Sequence, residues 1–367
     1  MPGRSDTEAG SAEGAETAIF TEIPVSSEDI LNCSYSNWYD QFSSHTITEA
    51  KIFRDVPEEF IEYLQNDDIV LPKDDVSESS LFQAVEPNSD NDYSDWEEGG
   101  EDEGGEPAPG KAPSQAQNPK VLDNPATKFA RFHQQIKDAI KELGSVAPKL
   151  NWSAPQDATW MMMNNTMQCH SATELYLLLK SSDYINHDLG HAFDCVTDKE
   201  IPKVKYELVL RKWAEMNPSG EFRCFVRDRQ LIAITPRDLN YYSFLEDIQD
   251  EIVEKIGIFF DDVLLPKFGS NSFVFDVYLP KPLDRVYLVD VNPFARKTDS
   301  LLFTWNELAT MQPNDESPAF RMVEEANSGR FATKAHSENR VPRDVVDASL
   351  DARALVELAQ EWDRSNQ

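Results

Sequence analysis

Apolar positions recur with helical spacing in three stretches of the chain. Phe129, Phe132, Ile136, Ile140 and Leu143 fall three and four apart, and Gly144 follows where a helix C-cap belongs. Ser171-Ala172-Thr173-Glu174 has the form of a capping box ahead of Leu175-Tyr176-Leu177-Leu178-Leu179. Phe244, Ile248, Ile252, Ile256, Phe260 and Val263 share one face of a third helix. A shorter helix is expected after Pro57, which suits a first helical position. Strand-like runs cover 205–210, 222–226, 230–234, about 272–279 and 285–291, with Asp228-Arg229 as a turn between the second and third. Another helix is expected around 350–362. Helices and strands mix, hairpins are prominent and no internal repeat is visible, so the pattern predicts an α+β chain.

Polar stretches divide this pattern. Residues 1–30 carry seven carboxylates against Arg4, a net −6, and read as a disordered acidic tail. Residues 67–107 carry fifteen against Lys73, a net −14, and a disordered acidic insert is expected at about 75–123. Ser94 inside it precedes several acids, which suits an acid-directed kinase or a plain solvated linker equally. Trp96 is a lone aromatic in the same run. Between tail and insert, Cys33 to Phe42 is compact and aromatic, so the insert interrupts a lobe rather than separating two. The expected organisation is a first lobe over 31–202, a second over 203–325 and a C-terminal extension over 326–367.

The 367 residues carry 34 basic and 66 acidic side chains, a net charge of −32. Tail and insert together account for 20 of those units, leaving a mildly acidic folded part. This balance argues against direct nucleic-acid binding, which needs a basic stripe, and against docking on anionic lipid. No run reaches the length and apolar purity of a membrane span, and the N-terminus lacks a signal pattern. Cys33, Cys169, Cys195 and Cys224 are widely spaced without a Cys-x-x-Cys pair, which fits reduced thiols and a cytoplasmic protein.

Gly-x-x-x-x-Gly-Lys-Ser/Thr, Gly-x-Gly-x-x-Gly, His-Glu-x-x-His and Gly-x-Ser-x-Gly are all missing from the chain. His187, His191 and Cys195 offer metal-ligand types, but Gly190 and its polar neighbours suggest a loop, and surface histidines are the better reading. The informative pair is 273–278 with 286–294. Side chains alternate along a strand, so Asp290 and Asn292 share a face with Val286 and Leu288, and Asp276 shares one with Val274. In a hairpin centred on Leu283, Asp276 lies opposite Asp290, and two facing carboxylates repel. A hard divalent cation would resolve the conflict: Asp, Asp and Asn oxygens suit Mg²⁺ held with a nucleotide. Edge acids facing water fit the same spacing equally well. Lys149 beside a small-residue loop, Arg211 and Lys212 after a strand, and Arg223 and Arg237 on or beside the hairpin could reach phosphate oxygens if they converge.

Several of these residues lie in longer motifs. They are Trp38-Tyr39 with Phe42, Pro148-Lys149-Leu150-Asn151-Trp152-Ser153-Ala154-Pro155, and Tyr206-Glu207-Leu208-Val209-Leu210-Arg211-Lys212-Trp213. With them go Glu221 to Val226, Phe273 to Asp276, Asp290-Val291-Asn292-Pro293-Phe294 and Thr298 to Trp305. Together they resemble the cell division cycle protein 123 (D123) family over about 33 to 320, interrupted by the insert. The resemblance implies an ATP-grasp-like fold in which two α+β lobes hold Mg-ATP between them. It implies a chaperone-like assembly factor for eukaryotic translation initiation factor 2. Such a factor binds the gamma subunit so that alpha and beta can join, supports translation initiation and cell-cycle progression, and is a monomer outside that complex. Carried over by residue, Lys149, Trp152, Ala154, Leu210, Arg211, Lys212, Trp213, Arg223 and Arg237 would line ATP, and Asp276, Asp290 and Asn292 would hold Mg²⁺. Gln156, which stands where the family usually has Arg, and Asp157 complete the nucleotide set. Ala295-Arg296-Lys297 replaces a run richer in Gly and acids at the rim. Two other classes compete: an ATP-grasp enzyme joining a carboxylate to an amine through an acyl phosphate, and a binding module with a vestigial nucleotide site.

Overall fold

A computed structural model describes residues 22–66, 68–72, 124–312 and 317–325. The expected insert with Ser94 and Trp96, and the expected helix at 350–362, lie outside the described residues. The first segment forms α1 (Ser27–Asn32), α2 (Tyr35–Phe42), β1 (Ala50–Phe53) and α3 (Glu58–Gln65). After position 123 come α4 (Ala130–Leu143), β2 (Val146–Lys149), α5 (Ala172–Lys180), α6 (Asp183–Gly190) and β3 (Leu208–Lys212). The remainder is β4 (Glu221–Arg227), β5 (Gln230–Pro236), α7 (Phe244–Phe259), β6 (Phe273–Tyr278), β7 (Tyr287–Pro293), α8 (Trp305–Thr310) and β8 (Ala319–Phe320). The chain is α+β, with a three-stranded sheet in the order β1-β3-β2 and a five-stranded sheet in the order β7-β6-β4-β5-β8.

The small sheet is covered by helices whose apolar stripes the spacing predicts. Phe132, Ile136, Ile140 and Leu143 of α4 are buried with Phe60 of α3 and Leu175, Tyr176, Leu178 and Leu179 of α5. Gly144 ends α4 at φ +88°, a left-handed value that glycine adopts without strain. At α5 the Ser171 side chain accepts from the Glu174 N–H, while the Glu174 carboxylate accepts from the N–H of His170 rather than of Ser171. β3 pairs with β1 and β2, so the lobe boundary expected at 202/203 leaves this strand on the wrong side of the sheet it completes. The tail expected over 1–30 is also too long. Val25 and Ile30 are buried, and Ser26 opens α1 with a full capping box to Asp29. An acidic composition there hides an ordinary helix start.

In the large sheet, β4 and β5 join through Asp228 and Arg229, both at positive φ, as a two-residue hairpin requires. Phe222, Cys224 and Val226 of β4 and Phe273, Phe275 and Val277 of β6 face Ile252, Ile256 and Phe259 of α7. α7 runs on into one π-helical turn, Phe260–Leu264, and this wider turn buries Leu264 where even spacing favours Val263. β6 and β7 form the expected hairpin, with Asp276 opposite Asp290. A bulge then intervenes: Val277 pairs with Leu288, leaving Val289 as an extra residue. Strict alternation puts Leu288 on the face of Asp290 and Asn292, but the bulge reverses it. Leu288 and Val291 enter the apolar core, and the two polar side chains are left on the other side.

Candidate functional site

The two sheets face each other across a cleft of about 1510 Å³, lined from one side by Trp152, Ala154, Gln156, Arg211 and Trp213 and from the other by Arg223, Arg237, Asp290 and Asn292. β2 and the loop after it deliver Lys149, the end of β3 delivers Arg211, β4 and the end of β5 deliver Arg223 and Arg237, and β6 and β7 deliver the acids. Of these, Lys149 and Asp276 are buried beneath the opening, and the others line it.

Asp276 and Asp290 do face each other, and cations rather than a void separate their fates. Asp276 is fully buried, and the Arg223 fork donates from Nε to its Oδ1 and from Nη2 to its Oδ2, both at 2.8 Å. Arg237 adds a third bond, Nη1 to Oδ2 at 2.6 Å. Burial pushes the Asp276 carboxyl up, but the charges of Arg223 and Arg237 outweigh it and hold the group below the usual carboxylate range. Asp290 accepts from Lys149 Nζ at 2.8 Å, and the same ammonium donates to the Trp152 carbonyl. Asp290 Oδ1 is buried without a hydrogen-bond partner.

The loop at 152–153 has its own anchor. Asp188 of α6 is buried and accepts from Ser153 Oγ at 2.7 Å, Ser153 N at 2.8 Å and Trp152 N at 3.2 Å. Burial raises its carboxyl to about 6 despite those three donors. Trp152 is further fixed by its indole N–H, which donates to the Ile30 carbonyl at 2.8 Å. Arg211 reaches from the small sheet to the carbonyl of the bulged Val289 at 3.2 Å, a polar tie across the cleft. A second tie is His187 Nε2 with Lys297 Nζ at 3.0 Å; burial and the Lys297 charge push the imidazole down to about 4, so it is a neutral acceptor.

Not every candidate residue faces the cleft. Leu210 is fully buried in the small-sheet core. Asp157 turns away to cap α6, accepting from Ser182 Oγ at 2.6 Å and Asp183 N at 2.7 Å. Lys212 lies at the rim and pairs with Glu49 at 3.4 Å. His187 sits on α6 rather than in the loop that Gly190 suggests, because Ser182 and Asp157 cap a helix extending to Gly190. Asp188, Glu221, Lys297 and Asp299 also line the cleft, and sequence reasoning passes over them. For Asp188 the available signal is Ser182-Asp183, a helix start that would have placed the acid on an inward face.

Two carboxylates and an amide suit a hard cation that completes its shell with water and phosphate oxygens. The unpartnered Asp290 Oδ1 fits that role. Among the described residues no group of three His, Cys, Asp or Glu side chains could hold a metal unaided. Nor is any helix among them long and apolar enough to cross a membrane.

Comparison with known proteins agrees with this architecture. The cell division cycle protein 123 of Candida glabrata is 47% identical over 351 residues, covering 95% of each chain. A protein of Vanderwaltozyma polyspora named translation initiation factor eIF2 assembly protein is 47% identical over 348 residues, covering 93% of this chain and 92% of its own. The structure of Cdc123 from Schizosaccharomyces pombe matches with a TM-score of 0.64 at 34% identity, covering 83% of this chain and all of that one. The D123 family model matches residues 38–349, and the chain belongs to the D123 family.

Proposed function

We propose that this chain is an ATP- and Mg²⁺-binding assembly factor for eukaryotic translation initiation factor 2, acting in the cytoplasm. Nucleotide sits between the two sheets in an ATP-grasp-like arrangement and holds them in the state that receives the gamma subunit, before alpha and beta join. The observation that carries the reading is that Arg211, Arg223, Arg237, Asp290 and Asn292 line one cleft, with Lys149 and Asp276 buried beside it and paired to them. Relatives named for assembly of the factor supply the partner. The cations offer donors for phosphate oxygens, and the guanidinium forks match their geometry. Asp290, Asn292 and Asp276 offer hard oxygens to the metal. Trp152, Ala154, Gln156 and Trp213 shape the rest of the pocket, while Leu210 and Asp157 act behind its wall. The bound metal supplies charge neutralisation between carboxylates and phosphates.

A net charge of −32 steers the chain toward a basic face on its partner, and that attraction weakens with salt. Capture of purified subunits with and without Mg-ATP tests the proposal. The expected result is one-to-one capture of gamma, stronger with Mg-ATP and weaker at high salt. Absence of gamma capture under every condition refutes the assembly role.

One observation favours the ligase as second reading. At about 1510 Å³ the cleft exceeds the span of ordinary ligand pockets, roughly 300–1,000 Å³, and leaves room for an acceptor beside a nucleotide. Formation of a ligated product from ATP would select it.

A further inference from the structure

The buried ions beside the cleft are already paired with one another. Three cations, Lys149, Arg223 and Arg237, face two carboxylates, Asp276 and Asp290, leaving +1 on the group. Both Asp276 oxygens are held by arginines, at 2.8, 2.8 and 2.6 Å, and one Asp290 oxygen is held by Lys149 at 2.8 Å. Lys149, Arg223 and Asp276 are buried, so none of them can exchange its partner for water without a large penalty. Yet the nucleotide reading gives these same cations to phosphate and these same carboxylates to metal.

We infer, resting on that reading, that the site works by charge exchange: the pairs Arg223–Asp276, Arg237–Asp276 and Lys149–Asp290 keep metal and nucleotide from binding singly and open only when both enter. Phosphate arriving alone would compete with Asp276 and Asp290 for the charge of Lys149 and the arginines and would set its own negative charge beside those two carboxylates. A divalent cation arriving alone on Asp290 would set its charge beside that of Lys149, and reaching Asp276 would strand Arg223 as a buried, unpaired cation. Arriving together, each compensates what the other releases, and every buried charge keeps an opposite neighbour throughout. Asp290 is the natural point of entry. Its Oδ1 has no partner to give up, and its side chain is 18% exposed against 1% for Asp276.

Two substitutions separate the exchange from simple ligand loss. Asp290→Asn removes a metal ligand but also frees Lys149. Arg237→Gln removes a phosphate donor but loosens Asp276, which keeps the Arg223 fork and with it the fold. Calorimetric titrations use ATP in EDTA, Mg²⁺ without nucleotide, and the two together, with thermal melts confirming that each variant is folded. Asp290→Asn should bind metal-free ATP about tenfold more tightly than wild type, while its Mg-ATP affinity falls. Arg237→Gln should likewise bind Mg²⁺ without nucleotide about tenfold more tightly than wild type. A gain in either variant supports the exchange, and Arg237→Gln alone decides if Asp290→Asn does not fold. A wild type that binds Mg-ATP, with a gain in neither folded variant, overturns the exchange and leaves the nucleotide site standing. A wild type that binds ATP under no condition removes both.

Discussion

The five-stranded sheet has two faces built from the same strands, and they are held together by opposite physics. Beneath α7, Phe222, Phe273, Phe275, Val277, Leu288 and Val291 form a continuous apolar layer. On the other face, one residue along each strand, Phe225 and Val274 pack against Phe303 and Trp305 at one end, while Arg223 and Asp290 line the cleft at the other, with Asp276 buried against Arg223. The pleat alone separates Phe275 from Asp276. Apolar packing is non-directional and tolerates adjustment, whereas the ionic cluster depends on each partner being present and correctly placed. The dry face therefore sets the strand positions on which the polar geometry rests.

The largest effect should come from breaking the dry face. Phe275 is fully buried and stacks at 6.1 Å on Phe260 of the π-helical turn. Phe275→Ala should lower stability by about 3–5 kcal/mol, and nucleotide binding should fall with it because the carboxylates lose their frame. Denaturant melts check the first part. A loss under about 1 kcal/mol would show that the layer repacks freely.

Next comes Arg223→Met on the polar face. The fork to Asp276 disappears, and Arg237 alone remains for a buried carboxylate. A cost of about 3 kcal/mol is expected, the lower end for breaking a buried pair, because one cation persists. Melts should show that lowering the pH recovers part of the loss, since protonating Asp276 removes the unpaired charge. A pH-independent deficit would mean that packing, not charge, was lost.

How much of this was legible depends on distance along the chain. Helices α4 and α5 follow from apolar spacing and capping residues a few positions apart, and the hairpin register that sets Asp276 against Asp290 follows from Leu283. The cluster does not follow. Asp276 meets partners 53 and 39 residues away, and Asp290 meets Lys149 across 141. Reading the hairpin alone, the facing carboxylates are a repulsive pair awaiting a metal; the folded chain brings three cations to them first. The bulge at Val289 is equally hidden, because nothing in Leu288-Val289-Asp290 marks an extra residue. At α1 the signal exists, Ser26 with Asp29, and is masked by the acidic composition around it.

A third prediction contrasts Asp188 with Asp276. Asp276 is held below the usual range, so its contribution to stability is present at neutral pH and lost as pH falls through its folded value. Asp188 has the opposite sign. Its carboxyl is raised from 3.8 to about 6, so the folded state binds the proton more tightly and stability falls as pH rises between those values. Its pH-dependent part is roughly 2 to 3 kcal/mol. Asp188→Asn should flatten the stability profile between pH 4 and 6, and should weaken nucleotide binding by loosening the Trp152 carbonyl that holds Lys149. An unchanged profile would remove Asp188 as the titrating group.

The smallest effect is expected where the same chemistry meets water. Lys212 and Glu49 form an ion pair at the cleft rim at 3.4 Å, with side chains 48% and 66% exposed. Both ends are solvated, both side chains retain rotamer freedom, and salt screens what attraction remains. Glu49→Gln should therefore change stability by less than about 0.5 kcal/mol, against about 3 kcal/mol for the buried Arg223 pair. It should also leave Mg-ATP binding unchanged, because the pair touches neither Asp276 nor Asp290. Side-by-side melts of Glu49→Gln and Arg223→Met at low and high salt make the comparison. If the exposed pair proved as costly to break as the buried one, burial would not be what gives the cleft charges their weight, and the contrast between the sheet's two faces would lose its electrostatic half.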